Sequence, residues 1–89
     1  MRNRDVDAAK GDRAAGILAN DTFKDAMAQL RNDYLTAWEM TGANDATARE
    51  KLYLRVKMLD DVCSQLIKVM NNGKLAKAEL EAMARNKAA

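Results

Sequence analysis

The chain has 89 residues, a net charge of +2, one cysteine and neither histidine nor proline. That excludes an internal disulfide, removes the commonest metal ligand and acid–base group, and leaves a small domain that tends to lean on oligomerisation for stability. Near-balanced charge does not force nucleic-acid binding, no apolar run approaches the roughly 20 residues that cross a bilayer, and residues 1–13 lack the apolar core of a secretory signal.

Alanine, leucine, lysine, glutamate, arginine and methionine are plentiful and β-branched and aromatic residues few, so the composition predicts an all-α protein. Residues 1–11 alternate charges around Val6 and read as a flexible or partner-ordered arm, followed by a single helical domain over 12–89. Ala14, Ile17 and Leu18 share a face and predict a short N-terminal helix over about 12–19, weakened by Gly11 and Gly16.

Asn20-Asp21-Thr22 is a helix-start cluster, because each side chain accepts a hydrogen bond from a free amide of the first turn. The helix it opens is expected to reach about Met40. Phe23, Met27, Leu30, Tyr34 and Trp38 recur at three- and four-residue steps along it. Lys24, Asp25, Arg31, Asn32 and Glu39 fall on the solvated face. Gly42 is expected to end the helix in the left-handed conformation.

Thr47-x-x-Glu50 resembles a capping box and predicts the next start. From there Leu52, Val56, Leu59, Cys63, Leu66 and Met70 alternate steps of four and three, a heptad-like seam over about five turns. The short linker predicts that the two helices lie antiparallel as a long hairpin, seam against seam. Asn71-Asn72-Gly73 is expected to end the second arm, and a basic C-terminal helix is expected over about 75–85.

Leu54, Met58, Val62, Ile67 and Val69 lie off the seam, giving the second arm more apolar surface than one partner helix hides. With Tyr34 and Trp38 they form the candidate protein interface. Arg49, Lys51, Arg55 and Lys57 cluster on one stretch of the same helix and are the candidate phosphate contacts, although Asp45, Glu50, Asp60 and Asp61 flank them. Cys63 has Leu59, Leu66 and Ile67 about one turn away and no histidine to activate it, and reads as a small core hydrophobe. Asp60 and Asp61 point about 100° apart and do not converge. The glycines of 11–16 lack the Lys-Ser/Thr of a phosphate loop. No catalytic, cofactor or metal site is expected, and no small-molecule substrate.

Several residue groups carry a resemblance. They are Lys10-Gly11-Asp12-Arg13-Ala14, Leu18-x-Asn20-x-x-Phe23, Tyr34-x-x-Ala37-Trp38, Asp45-x-x-x-Arg49-Glu50-x-Leu52 and Asn72-Gly73-Lys74-Leu75-Ala76. In these the chain resembles short helical proteins encoded by tailed bacteriophages. The resemblance implies a viral origin and a role in building the particle, in the host cytoplasm or the virion, and it supplies no site residues. The leading expectation is a non-enzymatic structural, assembly or adaptor protein that binds itself or another phage or host protein. The alternatives are a nucleic-acid-binding packaging factor and a small inhibitor of a host protein.

Overall fold

The computed structural model describes residues 3–88, with side chains through Lys87. Among these residues are three α-helices and no strand: α1, Arg4–Ala19; α2, Asp21–Glu39; and α3, Ala46–Ala88. They gather into two units. One joins α1 to α3 from Gln65 onward, and the other comprises Asn20–Ser64.

In the first unit α1 begins at Arg4, well before the start its apolar spacing predicts. Asn3 is the missed signal. Its side-chain oxygen accepts from the Val6 amide at 3.2 Å and its carbonyl from the Asp7 amide at 3.0 Å. Asp5 and Asp7 place negative charge in the first turn, where the helix dipole favours it. Residues 4–11 of the expected arm are therefore helical, while Met1 and Arg2 lie outside the described residues.

The covered side of α1 is made of small residues. Gly11 and Ala14 are buried, and Ala8, Ala15 and Leu18 are half-buried. Gly11 meets Gly73 of α3 backbone to backbone, so that a Cβ built on either would lie 2.6 Å from the other's Cα. Ala14 and Ala76, at 3% and 0% exposure, sit one turn beyond each glycine and continue the close approach. Arg4 pairs with Glu79 and Lys77 with Asp12 at the rim of this contact.

That contact corrects the expected end of the hairpin. Asn71-Asn72-Gly73 neither stops α3 nor separates a C-terminal helix; α3 runs unbroken for 43 residues. Glycine inside a helix costs about 1 kcal/mol relative to alanine, and burial against Gly11 and around Ala76 offsets it. No described glycine has positive φ, so the left-handed role expected of Gly42 is also absent. Leu66 and Met70, assigned from sequence to the seam with α2, belong to the unit that contains α1.

In the second unit α2 is capped by Asn20 as its start cluster predicts, the Phe23 amide donating to the Asn20 side chain at 2.9 Å. It closes at Met40, whose amide bonds the Thr36 carbonyl at 3.2 Å, with the Thr41 amide on the Trp38 carbonyl at 3.1 Å. The cap of α3 is Asp45, not Thr47: its carboxylate accepts from the Ala48 amide at 3.2 Å and its carbonyl from the Arg49 amide at 3.1 Å. Leu52 is buried, and Phe23, Met27, Tyr34, Val56, Leu59 and Cys63 are half-buried. No large side chain among the described residues is fully buried. The interior is thin, and much of the apolar surface of α2 and α3 faces outward.

Candidate interaction surface

At the loop end of the second unit Arg49 is held from two directions. Its guanidinium lies 4.0 Å from the centroid of the Trp38 ring, and Nη1 donates to Thr41 Oγ1 at 2.9 Å. Thr41 Oγ1 in turn donates to the Trp38 carbonyl at 2.6 Å. A cation over an indole face, fixed by a hydroxyl that also closes the end of α2, ties the start of α3 to the end of α2. Farther along, Arg55 lies 5.8 Å from the Tyr34 ring and Lys57 lies 5.7 Å from the Tyr53 ring. Three of the four basic residues singled out as phosphate contacts are thus seated over aromatic rings of their own chain. Lys51, the fourth, is exposed.

Arg31 is expected on the solvated face of its helix, and Asp60 beside the basic cluster. They form an ion pair between α2 and α3. Asp60 is half-buried while Asp61 is exposed, so the two carboxylates diverge as the helix geometry requires.

Two hollows mark the surface of this unit. The larger, of about 240 Å³, is an open apolar groove lined by Tyr34, Leu35, Trp38, Leu52, Tyr53 and Val56. The smaller, of about 150 Å³, is lined by Met27, Ala28, Leu59 and Cys63, with the Arg31–Asp60 pair at its edge. Sequence spacing found Tyr34 and Trp38 but not Leu35 and Tyr53. These two lie about a quarter-turn off their helices' seams, where a search for one apolar stripe per helix does not look.

The expected interface residues separate by unit. Tyr34 and Trp38 line the groove. Leu54, Met58 and Val62 form an exposed row on α3 at steps of four residues, with 51%, 65% and 49% of their surface accessible. Ile67 is exposed and Val69 half-buried, both in the unit that contains α1. Among the described residues no group of histidine, cysteine and carboxylate side chains could hold a metal ion, and no helix is long and apolar enough to cross a membrane.

Comparison with known protein families, with curated proteins and with solved structures returned no match for this chain.

Proposed function

We propose that the protein is a non-enzymatic structural, assembly or adaptor component of a tailed bacteriophage, and that it works through helix–helix contact with itself or with another phage or host protein. In this reading α2 and the first part of α3 form an antiparallel hairpin. The pairings Arg31 with Asp60, Tyr34 with Arg55 and Trp38 with Arg49 support it, because numbers rise along α2 as they fall along α3.

The observation that carries the reading is the thin interior beside an apolar exterior. Among the described residues not one large side chain is fully buried, whereas Leu54, Met58 and Val62 stand in a row on the outside. Contiguous exposed apolar surface marks interaction sites in soluble proteins. The viral setting is carried by the residue likeness in the capping and seam positions, and with it the host cytoplasm or the virion as the place of action.

The test is the solution mass, by light scattering after size exclusion at rising protein concentration and at low and high salt. A mass that climbs above the 9.9 kDa of one chain at both salts is the expected result. A monomer that binds DNA at low salt and releases it as salt rises would replace this reading with the packaging-factor alternative, because phosphate contacts release counterions and weaken steeply with salt.

A further inference from the structure

We propose that the row Leu54, Met58 and Val62 docks against the same row of a second copy, antiparallel, across a two-fold axis that passes beside Met58. The proposal rests on the assembly reading above and names its partner and its register.

Residues at i, i+4 and i+8 make one ridge of a helix, and the commonest packing of two helices interdigitates two such ridges at about −50°. A two-fold contact places the same patch on both partners, so the patch must be complementary to itself. This row meets that condition. Rotation about an axis at Met58 lays Leu54 on the partner's Val62, Val62 on the partner's Leu54, and Met58 on itself. Leucine and valine differ by one methylene, and methionine is adaptable at the centre.

The charges beside the row select the antiparallel arrangement. At 100° per residue Lys57 and Asp61 fall on the same flank of the row, and both are exposed. The two-fold axis brings each Lys57 within about one turn of the partner's Asp61, twice per dimer, and sets the two Lys57 side chains equally near each other once, so opposite-charge pairs outnumber the like-charge pair. A parallel pairing would instead set Lys57 beside the partner's Arg55, two like charges, which disfavours it. Lys57 is at rest over the exposed Tyr53 ring, on the flank from which it would reach across.

Three side chains per copy make a patch smaller than the roughly 800 Å² per partner of a standard interface, so the dimer exchanges rapidly. Cross-linking reads it. In a Cys63→Ala chain, Met58→Cys should give a dimer with a short bis-maleimide. Leu54→Cys and Val62→Cys should each cross-link poorly alone and well when mixed. Asp61→Lys should weaken the Met58→Cys cross-link by about tenfold, since two exposed ion pairs turn to repulsion, and adding Lys57→Asp should restore it. Helicity by circular dichroism confirms that each variant folds.

A Met58→Cys chain that cross-links no faster than a Lys24→Cys control overturns the proposal. If light scattering still reports a dimer in that case, the register is wrong and the assembly reading stands. If it reports a monomer, a second copy is not the partner at all.

Discussion

The contact of Gly11 with Gly73 makes two glycines of one helix respond oppositely to the same substitution. Gly11→Ala places a methyl 2.6 Å from the Gly73 backbone, which no side-chain rotation relieves. It should cost about 1–3 kcal/mol, in the range of overpacked cores. Gly16→Ala meets nothing within 4 Å and lies inside α1, so it should stabilise by about 0.5–1 kcal/mol through helix propensity and a less flexible unfolded chain. Urea unfolding of the two variants, compared at constant m, measures both. Residues of this kind are poorly legible in sequence. Gly11, Ala14 and Ala76 carry almost no hydrophobic signal, and their importance comes from allowing backbones to approach. The capping residues were more legible. Asn20 was readable because a polar cluster precedes an apolar period, whereas Asn3 was hidden because the helix it opens buries glycine and alanine.

At the scale of elements, the persistence of α3 through Asn71, Asn72 and Gly73 is the main departure from what the spacing predicts. Local propensity argues for a stop there, and tertiary contact overrides it. The continuation should therefore depend on α1. Replacing Gly11 by leucine, which prevents the close approach, should leave the amides of 46–64 protected and speed hydrogen exchange from Asn71 onward. Equal protection across residues 65–85 in that variant would show that α3 holds itself together there. The existence of α2 and its cap were readable in sequence, and the stripe in part: Phe23, Met27 and Tyr34 are half-buried, whereas Leu30 and Trp38 of the same stripe are exposed. The start of α3 was misread by two residues: Thr47 and Asp45 both suit a cap, and only the geometry of the turn decides which carboxylate or hydroxyl reaches an amide.

At the scale of the whole molecule, Ala14, Leu52 and Ala76 are the buried hydrophobic residues among those described, so two of the three are small and the chain's burial is modest, as expected at this size. The division into two units is testable at two valines of the same helix. Val62→Glu alters an exposed residue and should lower self-association while leaving the melting temperature within a few degrees, as surface changes usually do. Val69→Glu introduces a charge at a half-buried position of the unit containing α1 and should destabilise by about 1–3 kcal/mol, read as an earlier thermal transition. Sequence reasoning grouped the two valines as one surface, because both lie off the seam of α3. Spacing along α3 alone does not reveal that Val69 falls in the unit that contains α1.

Cys63 is the chain's only thiol, half-buried at the edge of the small hollow beside the Arg31–Asp60 pair. It is a single chemical clock set inside the second unit. A maleimide should label it more slowly than a fully exposed thiol, and loosening of the unit around Met27 and Leu59 should raise that rate, so its labelling reports on this unit without any added probe.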